Sequence, residues 1–300
     1  MTAAVSGATW QDILRDTRER LGDDREARWL VEEVSGYSWA ELSSASAPGV
    51  RVSERAMARL ETMVGRRLAG EPIQYVLGRW QFRTLDLMVD SRVLIPRPET
   101  ELVVEVALRE LDALRAVEPA VPAARQTVVD LGTGSGAIAL SLAAERPHTE
   151  VFATDSSTGA LNVAAANLAG LGGRAAARVR LAEGDWWSAL PAGIAGRIDL
   201  VVSNPPYIST TEMPALDPSV REWEPSDALE SGPTGLEALG TVLAGAAGGW
   251  LRPGGGAVIE IAPHQARDAT EAALRAGFAY AEVQPDLAGR DRVLVARGAP

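Results

Sequence analysis

From residue 126 onward, short apolar runs alternate with longer stretches of helical period, an order that few architectures accommodate. The runs at 127–131, 150–154, 178–182, 198–203, 256–261, 279–283 and 292–296 read as strands; 137–146, 158–171, 236–250 and 265–276 read as helices. Strands that are apolar on both faces need helices covering both sides of a mostly parallel sheet. The pattern therefore specifies a doubly wound, seven-stranded α/β domain. In such sheets ligands sit at the carboxyl ends of the strands.

Two of those strand ends carry chemistry. The first strand runs into Asp130-Leu131-Gly132-Thr133-Gly134-Ser135-Gly136, which opens a helix. Glycines in such a turn let the backbone approach a ligand closely and adopt φ values closed to other residues. Glycine spacing alone is shared with dinucleotide sites. Two details favour another ligand: Asp130 stands where it can face an ammonium group, and only one residue separates the second glycine from the third. Asp155 ends the next strand and is placed to bind ribose hydroxyls, which either cofactor class offers; the plainer reading is an acid at a helix start.

The second is Asn204-Pro205-Pro206-Tyr207, directly after the strand 198–203. The prolines stop the strand, and Asn204 is pushed toward an extended conformation by the proline that follows it. In the stiff turn that results, the Asn204 side-chain oxygen and the Pro205 carbonyl can accept hydrogen bonds from a flat –NH2 group, with the Tyr207 ring packed on it. Taken alone, the four residues read equally well as a Pro-rich loop.

Upstream, residues 1–77 read as a helical domain, 78–96 as a β-hairpin connection, and 97–300 as the α/β domain. Trp10, Ile13, Leu14 and Leu21 share one helix face; Ala27, Leu30, Val31 and Val34 share another. Gly36 ends the second helix, and a Pro48-Gly49 break precedes a helix opened by Ser53, with Met57, Leu60, Met63, Val64 and Leu68 on one side. Alternation within 72–90 suggests a hairpin, followed by an extended Pro-rich segment that leads into a helix. Residues 118–125 read as a loop.

Composition removes several function classes. The chain is 46% hydrophobic and 23% charged, so a sizeable core is expected. It has no cysteine and only His148 and His264 as histidines, which argues against a transition-metal site; both histidines read as surface or loop residues. The first ten residues lack the basic and apolar regions of a signal peptide, and no apolar run approaches a membrane span, so a cytoplasmic location is expected. A net charge of −11 argues against a protein that works mainly by neutralising phosphates.

Asp-x-Gly-x-Gly-x-Gly followed by an acid after the second strand resembles the S-adenosylmethionine-dependent class I methyltransferases, and Asn-Pro-Pro-Tyr resembles those members that methylate a planar nitrogen. The stretches 72–78, 94–101 and 287–292, with Asp185-Trp186 and Glu224-Pro225, closely resemble the peptide chain release factor glutamine N5-methyltransferases. The resemblance implies a Rossmann-like methyltransferase domain behind a small helical bundle, with S-adenosylmethionine as methyl donor. It implies that Gly132, Thr133, Gly134, Ser135, Gly136, Asp155, Trp186 and Asn204 contact the cofactor, Trp186 lying against the adenine and Trp187 in the core. It further implies that Asn204, Pro205, Pro206 and Tyr207 hold the glutamine of the Gly-Gly-Gln loop of class I release factors, with the helical domain gripping the factor. A monomer that binds neither nucleic acid nor membrane is expected. Ala262-Pro263-His264 departs from the glycine-containing turn of the family. Competing readings are a glutamine methyltransferase of a ribosomal protein, an adenine-N6 DNA methyltransferase, an inactive cofactor-binding module and a nicotinamide oxidoreductase.

Overall fold

The computed structural model describes residues 9–43, 52–117 and 125–299, and the chain divides into two units, Met1–Gly78 and Arg79–Pro300. The Pro48-Gly49 break, most of the loop at 118–125 and the residues before Thr9 lie outside the described residues.

The first unit holds α1 (Trp10–Leu21), α2 (Asp24–Ser35), α3 (Trp39–Ser43), α4 (Glu54–Leu68) and α5 (Ile73–Leu77). Thr9, Asp23 and Ser53 cap α1, α2 and α4 by accepting backbone N–H groups of the first turn. Gly36 ends α2 at φ 73°, a left-handed conformation that glycine adopts without penalty. Trp10, Ile13, Leu14, Ala27, Leu30, Val31, Leu60, Met63 and Val64 pack into one core. Leu68 departs from the expected stripe and is 58% exposed, because it lies in the last turn of α4. Part of the stretch read as a hairpin is helical: α5 comes first, ended by Gly78 at φ 75°.

The second unit opens with the antiparallel hairpin β1 (Arg79–Phe82) and β2 (Leu85–Met88). Then come α6 (Pro98–Val117), β3 (Gln126–Leu131), α7 (Ala137–Glu145), β4 (Thr149–Asp155), α8 (Thr158–Leu171), α9 (Gly173–Ala176), β5 (Val179–Glu183), β6 (Ile198–Ser203), α10 (Pro218–Arg221), α11 (Glu237–Gly245), β7 (Leu251–Glu260), α12 (Ala266–Ala276), β8 (Tyr280–Pro285) and β9 (Asp291–Arg297). The seven-stranded sheet has the order β5-β4-β3-β6-β7-β9-β8. β3 to β7 are parallel and β9 runs against both its neighbours. Successive side chains on each strand take opposite faces. Val128, Val151, Leu200 and Val258 pack toward α6 and α7, while Val129, Phe152, Val201 and Ile259 pack toward α11 and α12.

The helix expected across 236–250 is tighter in its first half than in its second. α11 stops at Gly245 and a wider turn follows through Trp250, where Gly249 stands at φ 118°. A Cβ on Gly245 would lie 2.1 Å from Trp187 Nε1, so glycine there admits the indole.

Chain order reverses at β3, which has β4 on one side and β6 on the other. Leu131 stands level with Thr154 of β4 and with Ser203 of β6, and Ser203 with Ile259 of β7. The residues that follow these strand ends therefore meet at one edge, the switch point where doubly wound sheets bind ligands.

Candidate active site

A cavity of about 640 Å³ opens at that edge, within the range of small-ligand sites. Gly132, Thr133, Gly134, Ser135, Asp155, Trp186, Asn204 and Pro206 all line it. A smaller cavity of about 130 Å³ is lined by Asn204, Tyr207, Arg97 and apolar residues including Ile208, Leu216 and Val220. Asn204, Leu94 and Ala228 belong to both walls.

The glycine turn has the conformation its composition requires. Gly132, Gly134 and Gly136 stand at φ 74°, 55° and 86°. A Cβ on Gly132 or Gly134 would meet nothing within 4 Å, so bare backbone faces open space there. Gly136 has another role: it starts α7, a Cβ on it would sit 3.1 Å from Leu140, and it does not line the cavity. Asp155 shapes the turn as well as lining the cavity, because Oδ2 accepts from Gly134 N (2.8 Å) and Oδ1 from Ser157 N (2.9 Å). Burial raises its pKa above the usual carboxylate value.

Asp130 differs from expectation. It is fully buried and does not line the cavity. Its Oδ2 accepts from Thr133 Oγ1 (2.6 Å) and Ala139 N (3.1 Å), tying the turn to the first turn of α7, where a helix favours negative charge. Burial pushes its carboxyl up to about 7. Trp186 has a positive φ of 45° and lines the cavity. Trp187 is buried, as expected of a core residue, donates Nε1 to Thr241 O (3.1 Å) and stacks on Trp250 at 5.7 Å.

At the Asn-Pro-Pro-Tyr bend, Asn204 Nδ2 donates to Thr100 Oγ1 (3.2 Å), which leaves Oδ1 as the acceptor end of the amide. Pro205 is buried and lines neither cavity, whereas Pro206 lines the larger one. Tyr207 Oη donates to Glu260 Oε1 (3.4 Å), and burial beside that carboxylate raises the phenol pKa.

Glu260, Gln265 and Asn167 escaped sequence reasoning, and Glu224 was marked there only as part of a family resemblance. Glu260 ends β7 fully buried; the available signal was an acid closing an apolar strand. Gln265 donates Nε2 to the carbonyls of Tyr207 (3.1 Å) and Gly235 (3.0 Å), so the short 3-10 turn Pro263–Gln265 anchors the bend. Glu224 is buried, pairs with Arg97 and accepts from Ile95 N (3.1 Å). The Glu224-Pro225 and 94–101 stretches thus act together, clamping one wall of both cavities. Asn167 holds the hairpin to the turn by donating to Met88 O and Ser135 O. His264 is exposed, 3.6 Å from Glu212 Oε1, and His148 is exposed. Among the described residues no cluster of His, Asp and Glu has the makings of a metal site.

Known proteins are similar in sequence to this chain along most of its length. The Methyltransferase small domain family matches residues 113–216, and the PrmC N-terminal domain family matches residues 12–78. A release factor glutamine methyltransferase of Moorella thermoacetica is 45% identical over 93% of this chain and 91% of its own length. The chain belongs to the release factor glutamine methyltransferase family. Proteins of that name from Xylella fastidiosa and Bordetella pertussis are 45% and 43% identical, covering 79% and 94% of this chain and 80% and 97% of their own. Among solved structures, the catalytic domain of hMettl16 in complex with the MAT2A 3'UTR hairpin 6 aligns with a TM-score of 0.54 at 14% identity, over 82% of each chain. That likeness speaks for the fold.

Proposed function

We propose that this chain is the S-adenosylmethionine-dependent enzyme that methylates the side-chain amide nitrogen, N5, of the glutamine in the Gly-Gly-Gln motif of class I release factors. The family assignment supports the activity. The observation that carries the site is that Asn204 belongs both to the cavity of the glycine turn and to the smaller cavity with Tyr207. A methyl donor in the first and a carboxamide in the second would meet at this residue.

The first cavity suits S-adenosylmethionine. Bare backbone at Gly132 and Gly134, together with Asp155 and Trp186, lines it. One buried polar atom on the cavity wall, Thr154 Oγ1, has no protein partner among the described residues. When bound, the cofactor supplies a sulfonium methyl group, which is already activated for transfer. What the chain must then do is position and polarise a weak nucleophile. An amide nitrogen shares its lone pair with the carbonyl. We assign Asn204 Oδ1, on the wall of both cavities, and the Pro205 carbonyl, although Pro205 itself lines neither, as acceptors of its two hydrogens, which aims the nitrogen, favours loss of planarity and disperses developing positive charge. Tyr207, held by Glu260 and Gln265, packs against the amide. The extra proton leaves after transfer, so no general base is required.

The helical unit Met1–Gly78 is assigned to gripping the factor, and the enzyme to a monomer in the cytoplasm that acts without nucleic acid or membrane. A net charge of −11 supports the exclusion of DNA, and no helix among the described residues is long and apolar enough to cross a membrane. Incubating the chain with S-adenosylmethionine and purified release factor, followed by mass spectrometry of the Gly-Gly-Gln peptide, tests the assignment. One added methyl on glutamine is expected. Methyl transfer to a ribosomal protein or DNA, with none to the release factor, would replace it.

A further inference from the structure

Side chains from α6, the end of β7 and the segment after β6 form one hydrogen-bonded chain under the Asn204 bend. Thr100 Oγ1 donates to Glu260 Oε2 (2.7 Å), Tyr207 Oη donates to Glu260 Oε1 (3.4 Å), and Asn204 Nδ2 donates to Thr100 Oγ1 (3.2 Å). Thr100 and Glu260 are 4% and 1% exposed, so bulk water does not substitute for these partners.

The directions of these bonds follow from proton counting. A carboxylate only accepts, and a threonine hydroxyl has one proton. With that proton committed to Glu260, the Thr100 oxygen can only accept. Its neighbour on Asn204 must therefore be the –NH2 end. The two ends of a carboxamide are nearly the same size, so shape alone does not choose between them. Here the choice is made two bonds away, by the charge on Glu260.

We propose that Thr100 and Glu260 are positioning residues that fix the hydrogen-bond polarity of Asn204, so that an acceptor rather than a donor meets the substrate amide nitrogen. This rests on the function proposed above. With the Thr100 proton released, the Asn204 amide could turn over and set –NH2 against –NH2, a pairing with no hydrogen bond. Glu260 is faced by Thr100 and Glu99 from α6, by Arg292 from β9 and by Tyr207. Burial brings its carboxyl up to about 7, so lowering the pH through that value puts a second proton into the chain and frees Thr100 to donate elsewhere.

The test uses the full chain with S-adenosylmethionine and purified release factor, comparing wild type with Thr100→Val, Thr100→Ser and Glu260→Gln. Thr100→Val keeps the shape but loses the hydroxyl; its kcat is expected to fall about 10- to 100-fold, the range of one lost active-site hydrogen bond. Thr100→Ser should restore most of that loss. Wild-type kcat should decline from about pH 8 to about pH 6, and the decline should be absent in Glu260→Gln. Thermal melting identifies a variant that fails to fold, in which case Thr100→Ser and the wild-type pH profile decide. A Thr100→Val enzyme with near-wild-type kcat, a Thr100→Ser enzyme as impaired as Thr100→Val, or a flat wild-type profile would each overturn the proposal. Absence of any wild-type transfer to release factor would instead overturn the function, and the proposal with it.

Discussion

Replacing Asn204 with alanine separates positioning from binding. Asn204 is only partly buried, and its side-chain hydrogen bond among the described residues, Nδ2 to Thr100 Oγ1, is 3.2 Å long. Truncation therefore leaves no sealed cavity, and the cost to stability is that of one ordinary hydrogen bond, about 1 kcal/mol. For a unit of this size that corresponds to a drop in Tm of roughly 2–4 °C. Catalysis should suffer far more. Oδ1 is one of two acceptors assigned to the substrate –NH2, and losing one preorganised group of this kind lowers kcat about 10²- to 10³-fold, or roughly 2.7–4 kcal/mol. The cavity wall formed by Gly132 to Ser135 and Asp155 is untouched, so S-adenosylmethionine should still bind within a few-fold of wild type. Isothermal titration with the cofactor and a radiolabelled methyl-transfer assay on release factor measure the two quantities. A variant that turns over near the wild-type rate would refute the amide clamp, and one that loses cofactor binding and transfer equally would move Asn204 from the substrate to the cofactor.

Asp155→Ala should weaken cofactor affinity roughly 10- to 100-fold, since it removes a ligand-facing carboxylate and the acceptor for Gly134 N; an unchanged dissociation constant would take Asp155 out of the site. Glu224→Ala leaves Ile95 N–H buried and Arg97 unpaired, a loss of about 2–4 kcal/mol. It should lower Tm and raise KM for release factor as well, because Leu94 and Arg97 line the smaller cavity; an unchanged Tm would contradict the clamp. Asp130 has a folded-state pKa near 7 against an ordinary value of 3.8. Unfolded chains then release its proton at lower pH than folded ones do. Its effect on stability is therefore a loss as pH rises from about 4 to about 7, constant above that, and by as much as about 4 kcal/mol. Denaturant unfolding of Asp130→Asn should show a smaller decline over this range than wild type, with Glu260 contributing the remainder in the same direction; identical slopes would show that Asp130 is not protonated in the folded chain.

Periodicity sufficed for the elements whose burial is carried by their own residues. The strand at 198–203 and the helix at 158–171 fall where the apolar pattern puts them, because a strand buried on both faces and a helix with one apolar side announce themselves locally. Glycines were legible for the same reason: Gly132 and Gly134 need left-handed backbone and Gly36 must end a helix, and these are properties of single residues. The end of the strand at Ser203 was legible too, since the two prolines at 205 and 206 cannot continue it.

What the tertiary structure alone decided is which polar groups complete the site. Thr100 lies 104 positions before Asn204, and Glu260 lies 160 after Thr100; nothing local marks them as partners. The same holds for Glu224 with Ile95 and for Gln265 with Tyr207. Asp130 shows the converse. Its place two residues before a glycine suggested a ligand contact, yet the packing of α7 on β3 turned the carboxylate inward, onto Thr133 and Ala139. A hydrogen bond depends on the position and direction of both its ends, whereas apolar burial depends mainly on which face a residue occupies. Sequence carries the second kind of information in its period, and only the folded chain carries the first.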